Sequence, residues 1–503
     1  MYFSSMDEEN VALHSKGIIQ KHDRGPKKGM GMKFGDNKEF DLSKKYEFRV
    51  SVNGEVGCFS AELKLSPEAI TLRISGDQVG LRRWGHTRWE LESLECFGLG
   101  WNFVLFDLHC VRSGSFSVGE MLGTVMHFEA EYVAGYAVIS SAGDPSLDMR
   151  SIHLLSPSLE KWVGYTEKQQ EIIDNQVSGS RVGLISDFEG FDTTEFCISV
   201  KGEAEIVVNY NIIAKASPFE FEVGVRFPPS FCVFSESQIL PRDVMQLYQK
   251  TYAFLSLLHG HELQIDRIEL CGDDPRSGNT YLYYPKPTLS AYELSSYSWF
   301  PLGHNLRFDS LGLLSFPFES ISKYFSKEYA ASDKWSKYLK YRRMKNVEER
   351  FLGYFRLLES LTKTTKSFLD PDLLKVQVTR VESIMVRIFG QRKEVKGFLR
   401  GIERYNNSKY NTEKCILDFY KKLPEEVLNG WFLKQDAITS ICKLRNDISH
   451  ANDYFENNDD LLSKCAFIES LLIIALLETV DVPVSTTAKL IGRMPGSHHL
   501  TAV

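Results

Sequence analysis

The sequence predicts an α+β multidomain protein, in which an antiparallel β-rich region comes first and an all-α helical bundle follows. The chain has 503 residues, 43% of them hydrophobic, which is too long for one compact core and enough for several. From about residue 45, short runs alternate between apolar and polar side chains, as half-buried strands do. From about residue 320 this alternation stops, and longer segments repeat apolar residues at helical spacing.

The first 44 residues are predicted to be a disordered tail, because residues 1–44 are polar and rich in glycine and lysine. They lack the apolar core of a secretory signal, and the longest strongly apolar run, at residues 471–477, is far shorter than a membrane span. Nine cysteines occur without a C-x-x-C pair, which favours reduced thiols. We therefore expect a cytoplasmic protein that does not enter a membrane.

Two consecutive β-rich parts are predicted, at residues 45–160 and 161–318. In the first, strand-like runs are separated by turn signals such as Asn53-Gly54, which predicts a sandwich or an open barrel. The second contains further strand-like runs and one helical segment at residues 241–260, which begins at a proline and stops at a glycine. We expect that helix to pack on the sheet.

Residues 319–484 carry five amphipathic or buried helical segments joined by short polar connections, which predicts an all-α bundle. Between residues 335 and 480 there are 25 basic and 20 acidic side chains, although the whole chain has a net charge of −7. A locally positive domain can attract a polyanion while the whole protein stays soluble. Residues 485–503 are predicted to be a flexible tail.

One charged residue, Arg445, interrupts the apolar face of the fourth of these helical segments. At about 100° per residue, the segment places six apolar residues on one broad face, and Arg445 falls within their arc. The six are Ala437, Ile438, Ile441, Cys442, Leu444 and Ile448. A guanidinium keeps its charge, so its placement among aliphatic side chains is costly unless an anion meets it. We therefore expect a carboxylate partner or an anionic substrate at this position.

Arg445 also begins the pattern R-x4-H in the stretch RNDISH, which ends at His450. The pattern alone is a weak signal, and a second match runs from Arg493 to His498. That second match contains Pro-Gly in the predicted tail, where no rigid site is expected. The first match is distinguished by its position at the end of a bundle helix.

The residue types of RNDISH suit the cleavage of RNA without a metal, in which the 2′-OH attacks the adjacent phosphate. An imidazole can transfer the proton near neutral pH, which gives His450 the role of acid or base. Arg445 can hold the phosphate in a bidentate fork and stabilise its charge. Asn446 can orient the imidazole or bond a phosphate oxygen, and Asp447 is a further candidate for the same role.

With this motif in a helical bundle, the sequence resembles the HEPN domain ribonucleases. The resemblance includes the apolar closing helix and the FRLLESL segment of an early helix, and it covers about residues 335–480. The β-rich part is similar, in strand pattern and position, to that of ApeA-like anti-phage HEPN proteins. The resemblance implies a metal-independent endoribonuclease of abortive infection, without a cofactor, in which Arg445, Asn446 and His450 are catalytic and the product is a 2′,3′-cyclic phosphate. We expect the β-rich region to sense a phage-derived trigger or to restrain the nuclease.

The spacing of the motif constrains how it can work. Five residues on a straight helix separate the directions of Arg445 and His450 by about 140°. Either the helix bends there or another chain completes the site. HEPN relatives typically pair two such motifs across an interface, so the resemblance implies a homodimer or a higher even oligomer. A lone monomer is expected to be inactive.

Simpler interpretations of the same residues stay open. Arg445 can form a structural ion pair with Glu359 of the FRLLESL segment, and His450 can be an ordinary histidine at a helix end. The protein would then be a non-catalytic HEPN module that binds RNA or a nucleotide, or that serves as an oligomerisation platform.

A basic run at residues 334–345 is the candidate surface for the RNA, either tRNA or messenger RNA. Three aromatic residues interleave with the basic ones and could stack on bases, although a solvated helix face is at least as well supported. The aromatic residues are Trp335, Tyr338 and Tyr341, and the basic candidates are Lys337, Lys340, Arg342 and Arg343. No metal site is predicted, because His259, His261 and Cys271 have no fourth ligand at a useful spacing.

Overall fold

The computed structural model divides the chain into two compact units, Met1–Ala330 and Ala331–Val503. It describes residues 12–13, 39–77, 84, 90–118, 125–142, 149–178, 192–217, 222–272, 280–286, 298–302, 316–329, 331–364, 366–407, 410–454 and 456–500. Most of the predicted disordered tail therefore lies outside the described residues. The predicted fold class, with an antiparallel β-rich region followed by an all-α region, is confirmed.

The first unit is built on one large antiparallel sheet of thirteen strands, with a separate three-stranded sheet in the order β1-β12-β13. The strands are β1 (Ala12–Leu13), β2 (Tyr46–Asn53), β3 (Cys58–Leu65), β4 (Ile70–Asp77), β5 (Glu90–Gly98), β6 (Trp101–Val118), β7 (Val125–Ala134), β8 (Tyr136–Ser141), β9 (Met149–Leu155), β10 (Thr194–Val200), β11 (Ala204–Tyr210), β12 (Ile212–Ser217), β13 (Glu222–Arg226), β14 (Pro229–Ile239), β15 (Arg267–Cys271) and β16 (Thr280–Tyr283).

One long strand, β6, closes part of this sheet into a ring. One edge of β6 pairs with β5, whereas the other edge pairs first with β8 and then with β7. The strands β2 to β7 therefore form a closed ring, and the sheet continues from β8 to β10 as an open layer. The partner changes near Asp107, which has a φ of 53°, and a register shift follows between Cys110 and Arg112. The first β-rich part is thus a ring of six strands that β6 closes.

The helices of the first unit are α1 (Pro157–Val163), α2 (Glu167–Ser178), α3 (Val244–His259) and α4 (Phe318–Phe325). The predicted helix after Pro241 is α3, which is largely buried and ends at Gly260 with a left-handed φ of 80°. The helix α4 also belongs to this unit, because Phe318 packs on Phe196 of β10 and Tyr324 packs on Phe254 of α3.

This packing corrects the predicted domain boundaries. The helical unit begins at residue 331 instead of 319, since an amphipathic helix such as α4 can cover a sheet as well as join a bundle. The two predicted β-rich parts also share one continuous sheet, so they form a single unit rather than two domains.

The regular elements of the second unit, among its described residues, are all helices. Its helices are α5 (Ser332–Arg342), α6 (Val347–Thr362), α7 (Pro371–Phe389), α8 (Arg392–Asn406), α9 (Thr412–Tyr420), α10 (Glu425–Gly430), α11 (Ala437–Ser449), α12 (Asn458–Glu478) and α13 (Val484–Leu490). The core is formed by α6 and α12, and Asn346 and Asn457 cap their first turns. Between them Glu469 accepts hydrogen bonds from Tyr338 at 2.8 Å and Tyr354 at 3.0 Å.

The end of the chain corrects another prediction, because residues 485–500 are folded. The helix α13 is followed by two short 3₁₀ turns, and Leu490, Ile491 and Leu500 are buried. The Phe432 N–H donates to the Leu500 carbonyl at 2.7 Å. Pro-Gly in this segment suggested a tail, but the apolar residues around it pack against the bundle. No described helix combines the length and apolar character needed to cross a membrane, and all nine cysteines are free thiols.

Candidate functional site

The R-x4-H motif lies at the C-terminal end of α11. This helix packs on α6 and α9 through Ile438, Ile441 and Leu444, which are buried as the apolar periodicity predicts. Burial also raises the pKa of the neighbouring Cys442 thiol to about 12, so the thiol stays protonated and is a poor nucleophile. The chemistry of this helix end therefore belongs to the residues that follow Leu444.

Arg445 lies at the edge of the apolar face, and its side chain is 30% exposed. Its Nη2 is 3.3 Å from Oε2 of Glu359 on α6, so the ion pair proposed as an alternative is present. The guanidinium carbon lies 5.4 Å from the centre of the Phe355 ring. Phe355 and Glu359 are four residues apart on α6, so the two side chains present one surface to the arginine. The guanidinium is thus held by a carboxylate and an aromatic ring.

The carboxylate of Glu359 is itself fixed from a second side. Its Oε1 accepts a hydrogen bond of 2.5 Å from the Thr412 hydroxyl at the start of α9. Sequence reasoning named Glu359 but missed Thr412 and Phe355. The helical spacing of Phe355 and Glu359 was the one available signal, and it required knowing that α6 faces α11.

Asn446 turns towards Arg445 instead of towards the imidazole. Its Oδ1 accepts a hydrogen bond of 2.9 Å from Nη1 of Arg445. A guanidinium has five N–H donors. The bonds to Glu359 and Asn446 are those that Arg445 makes with the described residues, so further donors stay available to a phosphate. This arrangement favours a role for Asn446 in positioning the arginine.

His450 caps the end of α11 and is exposed. Its backbone N–H donates to the Asn446 carbonyl at 3.0 Å, and the chain then reverses at Ala451, whose φ is 53°. Asp447 closes this turn by accepting bonds from the backbone and the side chain of Asn452. Within the described part of one chain, no hydrogen bond joins the His450 imidazole to Arg445 or Asn446. The helix is regular as far as Ser449, and His450 at its end has a non-helical φ of −102° and ψ of 7°.

The basic run forms α5 and the turn that follows it. Lys337, Lys340 and Arg343 are exposed, and Lys337 pairs with Asp333 at 2.8 Å. Arg342 is half-buried, with Nη1 of its guanidinium buried, and its charge acts to lower the pKa of Tyr338 and Tyr354, which burial raises. The three exposed side chains can meet a polyanion, whereas Arg342 is directed towards the interior.

The interleaved aromatic residues do not match the base-stacking interpretation. Trp335 and Tyr338 are fully buried, and Tyr341 packs directly against Gly353 of α6. These rings therefore belong to the contact between α5 and α6, and their helical spacing reflects a packed face.

Among the described residues there is no group of three or more side chains arranged to hold a metal ion. His259 and His261 are buried, with their ring centres 6.0 Å apart. Cys271 lies on strand β15.

Two family models match the chain, and together they cover both units. A model described as Apea-like HEPN matches residues 352–485, which include Phe355, Glu359 and the motif of α11. A model described as ApeA N-terminal domain 1 matches residues 43–327, which is more than half of the chain. No curated protein and no solved structure matches the chain.

Proposed function

Because the chain belongs to the family of ApeA-like anti-phage HEPN proteins, we propose that it is a metal-independent endoribonuclease whose site is centred on Arg445 and His450. The main support for the proposal is the way in which neighbouring side chains hold the Arg445 guanidinium in place. Its guanidinium is fixed by Glu359, Phe355 and Asn446, is 30% exposed, and keeps free donors beside the helix end that bears His450. A cation that is held in place but not enclosed is suited to bind a phosphate.

The proposed reaction is an attack of the ribose 2′-OH on the adjacent phosphorus. A base removes the proton of the 2′-OH, the bond from phosphorus to the 5′-oxygen breaks, and that oxygen receives a proton. The products are a 2′,3′-cyclic phosphate and a 5′-hydroxyl end. His450 serves as acid or base, Arg445 stabilises the charge on the phosphate oxygens, and Asn446 and Glu359 keep the guanidinium in position.

The proposed active form contains two copies of the chain. The directions of Arg445 and His450 differ by about 140° on a regular helix, and α11 is regular from Arg445 to Ser449, just before His450. A two-fold axis near the end of α11 would bring His450 of the partner subunit to the phosphate held by Arg445. This arrangement accounts for the lack of a hydrogen bond between the Arg445 and His450 side chains within the described part of one chain, and it predicts that a monomer is inactive.

The exposed basic side chains of α5 supply a surface for the rest of the RNA, and Lys337, Lys340 and Arg343 are the proposed contacts. The β-rich unit is the proposed sensor of a phage-derived trigger, or the restraint on the nuclease, in a cytoplasmic protein. The proposed substrate is either tRNA or messenger RNA, and cleavage assays with both distinguish the two.

The test compares Arg445→Ala and His450→Ala with Lys443→Ala, a matched control for an exposed residue on the same helix. Labelled tRNA and messenger RNA are incubated with the purified full chain, with and without EDTA. We expect the first two variants to lose cleavage and toxicity. Their oligomeric mass and their circular dichroism spectrum should stay the same as those of the native chain. The control and the samples with EDTA should cut like the native chain. Cleavage by either motif variant contradicts the proposal.

A second candidate is a non-catalytic module that binds RNA or a nucleotide, or that serves as an oligomerisation platform. The ion pair between Arg445 and Glu359 favours it, because a paired arginine has a structural role without any substrate. This candidate predicts that the protein retains RNA in a gel-shift assay without shortening it.

A further inference from the structure

The helix α7 presents an apolar face that the described residues of its own unit leave exposed. Of its nineteen residues, all of which the structure describes, none is buried. Five aliphatic side chains on this helix are between 39% and 67% exposed, and they lie within an arc of about 140° at helical spacing. They are Leu373, Val376, Val381, Ile384 and Ile388.

The other side of α7 is already occupied by α8. Leu374, Val378 and Met385 are half-buried on that side, and Glu382 pairs with Lys396 of α8 at 3.3 Å. The helices α7 and α8 form a helical hairpin. At its base, the buried Asn406 side chain donates to the Leu369 carbonyl and accepts from the Leu369 N–H. The hairpin is therefore fixed where it joins the bundle, and its exposed face has a defined orientation.

Charge is distributed along α7 in a way that suits a second, antiparallel α7. The exposed Asp370 and Asp372 lie at its N-terminal end, whereas the exposed Arg387 and Arg392 lie at and just beyond its C-terminal end. A two-fold axis near residue 380 sets the acidic end of each helix against the basic end of the other. The two helix dipoles then also oppose each other.

The same axis brings the apolar residues into register. It places Leu373 of one copy opposite Ile388 of the partner subunit, and Val376 opposite Ile384 of the partner subunit. Arg380 lies on the same face. Its methylene groups can pack against the apolar side chains of the partner helix while its guanidinium stays in water. An RNA partner is less suitable, because the aliphatic side chains of this arc cannot stack on bases, and the exposed Phe389 ring of α7 lies outside the arc.

We propose that the exposed face of α7 is an interface between two copies of this chain, formed by antiparallel pairing of α7 about a two-fold axis. The inference rests on the proposed function in one respect, since that function requires an even oligomer. It adds a surface through which two copies of the chain pair.

The first test is Ile384→Arg in the full chain, with the mass measured by sedimentation velocity. Ile384 is about half exposed in one copy, so the substitution should leave the fold intact, which circular dichroism checks. We expect the mass to fall to half. Lys375→Glu changes an exposed charge of α7 outside the apolar arc and should leave the mass unchanged.

A charge exchange separates self-pairing from RNA binding. Arg387→Glu and Asp372→Arg should each reduce the dimer fraction, and the double variant should restore it, because the two residues meet across the axis. If α7 instead binds RNA, Arg387→Glu loses RNA retention, Asp372→Arg gains it, and the mass of the protein does not change. That result overturns the inference.

The outcomes also separate this inference from the nuclease proposal. A native mass that Ile384→Arg does not change, together with loss of cleavage in Arg445→Ala, overturns the α7 interface and leaves the nuclease standing. A native chain that is monomeric and cuts RNA overturns both the interface and the two-copy site.

Discussion

Two helices of the second unit have similar length and apolar content, yet their surroundings are opposite. The helix α12 has 21 residues, and nearly all of its aliphatic side chains are buried against its own chain. The helix α7 has 19 residues and no buried side chain. Apolar content alone therefore does not indicate that a helix belongs to the core of its own chain. The difference separates residues that hold one copy together from residues available to another copy.

The largest expected difference is in the free energy of unfolding when one leucine of each helix is truncated. Leu472→Ala on α12 should cost about 2–5 kcal/mol, because it leaves a cavity in the core. Leu373→Ala on α7 should change the stability of the isolated chain by only about 0.5 kcal/mol, since that side chain is 67% exposed. Denaturant titrations at a concentration where the native chain is monomeric measure both values. Equal losses would remove the distinction between the two helices.

Two glycine substitutions should change the free energy of unfolding in opposite directions. A Cβ at Gly353 on the buried α6 would lie 2.4 Å from the Tyr341 ring, so Gly353→Ala should destabilise by about 1–3 kcal/mol. A Cβ at Gly397 on α8 meets no atom within 4 Å, so Gly397→Ala should stabilise by about 0.5–1 kcal/mol through helix propensity. Thermal unfolding followed by circular dichroism compares them. Stabilisation by both would mean that the contact between α5 and α6 is looser than described.

The smallest effect on stability is expected at the site. Glu359→Gln removes a charge from an ion pair whose two side chains are each about one third exposed, so the free energy of unfolding should change by about 0–1 kcal/mol. We expect the cleavage rate to fall more clearly than RNA binding, because the guanidinium loses the carboxylate that positions it. Glu349→Gln, an exposed residue of the same helix, is the control. Equal rates in both variants would remove the positioning role of Glu359.

Local patterns predicted the elements of the fold, but not their long-range connections. Alternation marks β2 to β4, whose buried residues recur at every second position, and helical spacing marks α6, α11 and α12. The closed ring depends on which strands pair with the two halves of β6, and pairing between distant strands leaves no local signal. The folded segment after residue 484 was missed because its turns resemble a tail in composition.

The same limit applies to the candidate site. The apolar face of α11 predicted that Arg445 needs a partner, and Glu359 was named as one. The Phe355 ring and the Thr412 hydroxyl complete its surroundings, and they come from helices whose contact with α11 depends on tertiary packing. The proposed completion of the site by a second copy depends on an interface between chains, which a single sequence cannot show.

The central claim is that one active site uses Arg445 of one copy and His450 of the partner subunit. Its most direct test is to mix Arg445→Ala and His450→Ala chains, each inactive alone, after dissociation and reassembly. Mixed dimers then contain one intact site, so the account predicts recovery of about a quarter of the native cleavage rate when the two chains pair at random. No recovery, in a sample whose mass shows that mixed dimers have formed, would contradict the account.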